Sequence, residues 1–207
     1  MTDTTYAAAW VPDDDPARSL DVAAELAVLW VLRQAEALHV TPVLVTQTKE
    51  QWTLGPDAIR RLATTSDTVT DRGSRPSGDR RAVLAYLPRY RDMYRAVPYA
   101  RGGALAVVEY RADPLSGWAM ETQAVNLVDG QLTPKTWNPG QQNLLEDIHT
   151  YGNNGWTRGP DADHAARLVQ ELVADGVASD TILGFMVARH HSEEAIERLA
   201  AIIKRVV

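Results

Sequence analysis

The chain of 207 residues contains no cysteine. This absence excludes disulfide bonds, thiolate metal sites and a cysteine nucleophile. The sequence also lacks an apolar run of 18 residues, because its longest, Val22 to Leu32, is shorter and contains Glu25. We therefore expect no membrane-spanning segment and no membrane partner. Residues 1–10 lack the basic and apolar segments of a secretion signal, so we expect a cytoplasmic location.

Several enzyme motifs are missing as well. The sequence contains no G-x-G-x-x-G, no Walker A loop, no G-x-S-x-G and no H-E-x-x-H. These absences argue against dinucleotide-binding, P-loop, α/β-hydrolase and zincin proteins. No complete catalytic motif is present, and no cofactor is predicted.

The composition is that of a folded, soluble protein. Hydrophobic residues make up 45% of the chain and charged residues 23%, which are ordinary proportions for globular proteins. The formal net charge of -6 disfavours nucleic acid as a partner of the whole molecule. Residues 72–111 are an exception, because they carry nine arginines against three acids.

Four short apolar runs indicate the strands of a sheet, at residues 6–11, 42–46, 82–87 and 104–110. Helical patterns separate these runs, and parallel neighbours require such crossover connections. The fold class predicted is α/β, a three-layer sandwich with a mostly parallel sheet of about four strands. Asp129-Gly130 between apolar positions predicts a small β-hairpin annex. Residues 64–81, rich in polar residues, are expected to form a long exposed loop.

The first helix is predicted to begin at Pro16 with Asp15 as its cap and to end near Leu38. Its apolar residues cover more than one stripe, so we expect this helix to be covered on most sides or to lie in an interface. Residues beyond 142 are mainly helical in pattern and form a C-terminal extension. We predict a single α/β domain over 1–207, with a helical subdomain over 142–207 as the alternative.

Candidate site residues follow from the parallel sheet, whose ligands bind beyond the carboxyl ends of the strands. The weak catalytic candidates are Asp13, Asp15 and Glu109, which supply carboxylates for proton transfer or for Mg²⁺. Helix capping and the helix dipole are the more ordinary explanation of the aspartates. The candidates for binding a phosphate or carboxylate are Thr46, Thr48, Arg89, Arg101 and Arg111.

Arginines and tyrosines alternate over residues 86–111. Tyrosine rings stack on bases and guanidinium groups bind phosphates, so this segment suggests a surface for single-stranded nucleic acid. The alternative is local packing, because Tyr90 and Tyr94 lie four residues apart on a helix, as do Arg91 and Arg95. In that case one pair packs and the other lies in solvent.

Histidines and acids near the C-terminus have the atom types of a metal site, at Asp161, Asp163, His164, His190 and His191. Adjacent residues on a helix point about 100° apart, so His190 and His191 cannot easily reach one ion. No metal site is therefore predicted.

Three functions are consistent with these features. The leading hypothesis is a non-catalytic binding or protein-interaction module, which self-associates or binds another protein, supported by six tryptophans and the apolar first helix. The second is an enzyme or ligand-binding protein for a small anionic compound at the strand ends. The third is binding of single-stranded nucleic acid through residues 86–111.

Overall fold

The computed structural model describes residues 6–13, 19–73, 76–157 and 159–207. These residues form a six-stranded sheet in the order β3-β2-β4-β5-β1-β6. The strands are β1 Ala7–Val11, β2 Val43–Val45, β3 Asp67–Val69, β4 Ala82–Tyr86, β5 Ala104–Val108 and β6 Val125–Asn126. All neighbouring strands pair in parallel. The α/β class and the parallel sheet are confirmed, with two short edge strands beyond the four that the sequence predicted.

Nine α-helices lie within the described residues. Their bounds are α1 Leu20–Leu38, α2 Lys49–Thr53, α3 Asp57–Thr65, α4 Tyr90–Ala100, α5 Ser116–Thr122, α6 Pro139–Tyr151, α7 Pro160–Ala174, α8 Ser179–Ala188 and α9 Glu193–Val206. No membrane-crossing helix is found in this part of the chain.

The sheet is covered on both faces because its strands are apolar throughout. Alternate residues of β4 and β5 point to opposite faces, and all ten are buried. One face packs against α1 and α3, whose inward residues include Ala27, Val31 and Ile59. The other face packs against α4, α5 and the C-terminal helices, all within one hydrophobic cluster. The single-domain organisation remains our interpretation of this shared cluster.

Helix α1 begins later than predicted. Ser19 is its cap and accepts a hydrogen bond from the backbone N–H of Val22. The predicted cap Asp15 and first residue Pro16 lie outside the described residues. Serine and aspartate side chains both accept hydrogen bonds from the first N–H groups of a helix, so Ser19 serves here as the cap.

The turn at Asp129-Gly130 is present as predicted, with Gly130 in the left-handed region at φ 74°. Its first arm is β6, which pairs with β1 in parallel. The returning arm makes one antiparallel bridge, from Leu132 to Val125. The annex is therefore joined to the edge of the main sheet.

Candidate functional site

The strand order predicts two crevices at the carboxyl edge of the sheet. The chain leaves β1 toward the face covered by α1, and it leaves the neighbouring β5 toward the opposite face, which is covered by α5. It likewise leaves β2 and β4 toward opposite faces. Loops that separate in this way open a ligand crevice between adjacent strands.

At the β1–β5 crevice, Glu109 binds two loops together. One carboxylate oxygen accepts a hydrogen bond from the backbone N–H of Asp13 at 2.7 Å, and the other accepts from that of Leu115 at 2.6 Å. Glu109 is 9% exposed. Two of the three catalytic candidates are thus neighbours, but their contact uses the backbone of Asp13. Asp15 lies outside the described residues.

At the β2–β4 crevice, the candidate threonines form part of a turn. The buried Thr46 hydroxyl donates to the carbonyl of Thr48 at 3.0 Å, and the Thr48 N–H donates to the Gln51 side chain at 3.3 Å. Gln47 donates across the crevice to the carbonyl of Leu87 at 2.7 Å. These bonds hold the ends of β2 and β4 together.

The arginines that follow β4 are mostly paired. Asp71 binds Arg91 at 2.7 Å and also binds Arg95, which contacts the fully buried Asp92 at 3.2 Å. Burial raises the pKa of the Asp92 carboxyl, and the hydrogen bond from the Arg89 N–H opposes this rise. The local-packing alternative expected one pair to pack and the other to lie in solvent. In the structure Arg91 and Arg95 are partly buried and ion-paired, while Tyr90 is partly buried and Tyr94 is exposed, so neither pair as a whole lies in solvent.

Arg89 differs from its neighbours in this respect. It lies at the start of α4, is exposed, and has no side-chain hydrogen bond or ion pair within the described residues. It lines a cleft of about 260 Å³ between α4, the loop after β5, and α9. The residues of the cleft are Arg89, Tyr90, Arg91, Asp113, Glu193, Ile196, Glu197 and Ala200.

Asp113 lines the same cleft as Arg89. Burial raises the pKa of its carboxyl, and the positive charge of Arg89 acts in the opposite direction. The Tyr90 hydroxyl donates to the carbonyl of Pro114 at 3.2 Å, which ties the loop of Asp113 to α4. Among the charged residues of the cleft, Arg89 and Asp113 are therefore held on two elements that this hydrogen bond joins.

Comparison of the chain with protein-family models, with curated proteins and with solved structures finds no match. The functional inference therefore rests on the positions of the side chains.

The other two candidate arginines do not line this cleft. Arg111 is exposed on the turn that follows β5. Arg101 is the residue after α4 and precedes β5, so it lies at the amino edge of the sheet. Its predicted place at the strand carboxyl ends is wrong, because the sequence placed the whole arginine-rich segment at one edge while α4 carries it from one edge to the other.

The alternating segment 86–111 does not present its rings together. Tyr86 is buried beneath α1, and Tyr90 and Tyr99 pack against the opposite cluster, whereas Tyr94 is 49% exposed. Binding of single-stranded nucleic acid stays a prediction that this distribution does not favour.

A histidine pair lies away from the strand ends. His149 Nδ1 and His191 Nε2 are 2.8 Å apart, and the Trp156 ring lies 4.4 Å from that of His191. Burial, and then the neighbouring His149, lowers the pKa of His191 to about 4; burial also lowers that of His149. His164 contacts Arg167 instead. No metal-holding group of three histidines or acids occurs among the described residues.

The sequence analysis missed Glu121. This carboxylate is 2% exposed and contacts Lys135 at 2.9 Å and Arg189 at 3.2 Å. Arg189 also binds Glu146. The sequence indicated only that Glu121 is a charged residue in a mainly apolar helix. This pattern does not identify the residues with which it forms ion pairs.

Proposed function

We propose that the protein is a binding module for a small zwitterionic compound, held in the cleft between α4 and α9. The anionic group, a carboxylate or phosphate, contacts Arg89, and an ammonium group contacts Asp113. The observation that carries this proposal is that the exposed Arg89 side chain makes no hydrogen bond or ion pair with another described residue and lines the same cleft as Asp113, whose carboxyl it influences electrostatically. Guanidinium groups bind both oxyanions in a bidentate manner.

The acidic residues of the cleft indicate that the ligand carries a positive charge as well as a negative one. Asp113, Glu193 and Glu197 outnumber Arg89 and Arg91, and Arg91 already pairs with Asp71. A purely anionic ligand would meet repulsion from these carboxylates, whereas an ammonium group offsets it. The predicted class of anionic compound is thereby narrowed to one that also carries a cationic group.

The size of the cleft limits the ligand. Pockets for drug-sized molecules occupy about 300–1,000 Å³. A cleft of about 260 Å³ suits a molecule with the dimensions of an amino acid. The bond from Tyr90 to Pro114 and the clamp by Glu109 hold the loop of Asp113 in place, so the charged groups are positioned before binding.

Thermal unfolding tests the proposal with phosphoethanolamine, the standard amino acids, inorganic phosphate and ethanolamine as probes. A ligand at 100 times its Kd adds about 2.7 kcal/mol to the stability of the folded state. We expect at least one zwitterionic probe to raise Tm, and phosphate or ethanolamine alone to raise it less.

Arg89→Gln and Asp113→Asn are the informative variants, and Arg101→Gln is the matched control at the opposite edge of the sheet. We expect the first two to lose the Tm shift and the control to keep it. A shift that persists in Arg89→Gln, or no shift with any probe in the wild-type protein, would overturn this function.

A further inference from the structure

Helix α1 presents apolar side chains to solvent. Val22 and Leu29 are each 49% exposed, and Leu32 is 42% exposed. Leu26, beside them on the helix, is half-buried and packs in part against the core cluster beneath α1. The opposite side of the helix supplies the core contacts, through Ala23, Ala24, Ala27, Val28, Val31 and Ala35. We call the outward set Val22, Leu26, Leu29 and Leu32 the α1 outer face.

An outward face of this kind is unusual for a surface helix. Such helices ordinarily carry apolar residues in one stripe toward the core and polar residues outside. Contiguous exposed apolar patches mark interaction sites in soluble proteins. The α1 outer face is therefore a candidate interface, and the charges around it indicate which partner fits.

Two charged residues are placed symmetrically about Leu29. Glu25 lies four residues before it and Arg33 four residues after it, and both are exposed. Neither makes an ion pair with another described residue, since Arg33 and Glu25 occur in none of the salt bridges of this part of the chain. On a helix both residues project to the same side as Leu29.

This arrangement is complementary to itself in one orientation. If a second α1 lies antiparallel across a two-fold axis at Leu29, then Glu25 of each copy faces Arg33 of the other. The same axis places Leu29 against Leu29, Leu26 against Leu32 and Val22 against the exposed Glu36 of the other copy. A parallel pair would instead set Arg33 against Arg33 and Glu25 against Glu25, which is repulsive.

We propose that the protein forms a two-fold homodimer in which the α1 outer faces of two copies pack antiparallel about Leu29. The interface is isologous, so the same patch serves both copies. A single helix pair buries less than the roughly 1,200–2,000 Å² of a standard interface, and we therefore expect a dimer with a Kd in the micromolar range. This surface is separate from the cleft at Arg89.

Sedimentation-equilibrium measurements from about 1 to 500 µM chain test the dimer, a range chosen to span the expected Kd. The wild-type protein is expected to pass from monomer to dimer over this range. Leu29→Glu places two carboxylates at the axis and should leave the protein monomeric. If the wild-type protein is a monomer at every concentration, the proposed dimer is wrong. The α1 outer face would then have to bind a partner other than a second copy of this chain.

Charge reversal tests the register. Glu25→Arg and Arg33→Glu each create two like-charge contacts per dimer, and each should weaken association by about ten-fold or more. The double variant restores both pairs with their signs exchanged, so its Kd should return toward the wild-type value. If the single variants associate like the wild-type protein, or the double variant fails to recover, the antiparallel register is wrong.

Matched controls separate the register from net charge. Glu171→Arg and Arg205→Glu change the charge of the chain by the same amounts at exposed positions on α7 and α9. Both are expected to dimerise like the wild-type protein. Circular dichroism melting of every variant checks that the substitutions, all at exposed sites, leave the fold intact.

Discussion

Glu109 accepts a backbone hydrogen bond with each of its two carboxylate oxygens, one from Asp13 and one from Leu115. Such paired acceptance makes it a structural clamp at the β1–β5 crevice. The carboxylate accepts hydrogen bonds from two backbone N–H groups that would otherwise need water as their acceptor.

Glu109→Gln should destabilise the protein. The glutamine amide has one acceptor oxygen, and its NH₂ group would face the second backbone N–H, so one donor loses its partner. We expect the free energy of unfolding to fall by roughly 1–3 kcal/mol, measured by urea denaturation. Glu171→Gln, at an exposed position on α7, is the control and should change it little. Equal unfolding free energies for wild type and Glu109→Gln would contradict the clamp.

The pair of His149 and His191 predicts a pH dependence of stability. The pKa of His191 is lowered from 6.5 to about 4, so the unfolded chain binds the proton more readily than the folded one. Stability is fully present above about pH 6.5 and should decline as the pH falls toward 4, by at most about 3 kcal/mol from this group.

Urea denaturation between pH 4 and pH 7 measures this slope. His191→Gln removes the group and should flatten the dependence, whatever its effect on stability at pH 7. A slope unchanged by the substitution would assign the pH dependence to other residues.

At the scale of single residues, the sequence could place a residue where its position depends on the neighbouring element of the chain. Arg89 follows a recognisable strand, which is why the sequence placed it at the carboxyl ends of the strands; its role in binding stays a prediction. The partners of Glu121, Lys135 and Arg189, come from distant parts of the chain. Nothing in a local pattern specifies such pairs, because they are set by tertiary packing.

At the scale of elements, α5 and α8 approach through two glycines. A Cβ atom on Gly117 would lie 2.0 Å from the carbonyl oxygen of Thr181, and one on Gly184 would lie 2.9 Å from the Trp118 nitrogen. Glycine has a low helix propensity, so Gly117 by itself disfavours its helix. In the fold it is the point at which the two helix backbones meet.

Gly117→Ala should therefore destabilise the protein although alanine favours helix formation. The added methyl group forces the helices apart, and overpacking of this kind costs roughly 1–3 kcal/mol. Gly140→Ala, near the start of α6, adds the same methyl group where the nearest atom is the Asn138 side chain at 3.1 Å. Thermal unfolding should show a lower Tm for the first variant and little change for the second. A Tm for Gly117→Ala at or above that of Gly140→Ala would contradict the close contact.

The elements that sequence patterns missed are the short ones. β3 has three residues, two of them polar, and β6 has two. Strands of this length carry no periodicity, so Asp67–Val69 was included in the expected loop 64–81. Their parallel pairing to β2 and β1 depends on strands already in place. The strand β2 also has three residues, but it was predicted together with β1, β4 and β5 because an apolar run indicates burial on both faces.

At the scale of the whole molecule, strand order was beyond the sequence pattern. Apolar runs indicate that strands exist, but the order depends on which helices cover which face. The strand order determines which loops meet at the carboxyl edge. The cleft at Arg89 could therefore be identified only from the three-dimensional structure. The proposed antiparallel dimer also depends on the fold. The charges of Glu25 and Arg33 suggest an interface only because the structure shows that Leu29, between them, is exposed.

The position of β1 has a consequence for biosynthesis. This strand is made before the other strands of the described sheet, yet its partners are β5 and β6, and Ala7 pairs with Ala104. Its backbone N–H and C=O groups have no partner in this sheet until β5 has been made. Pairing across such a sequence separation slows folding. Of the strands of this sheet, β1 is therefore the one that we expect to rely most on chaperones during synthesis.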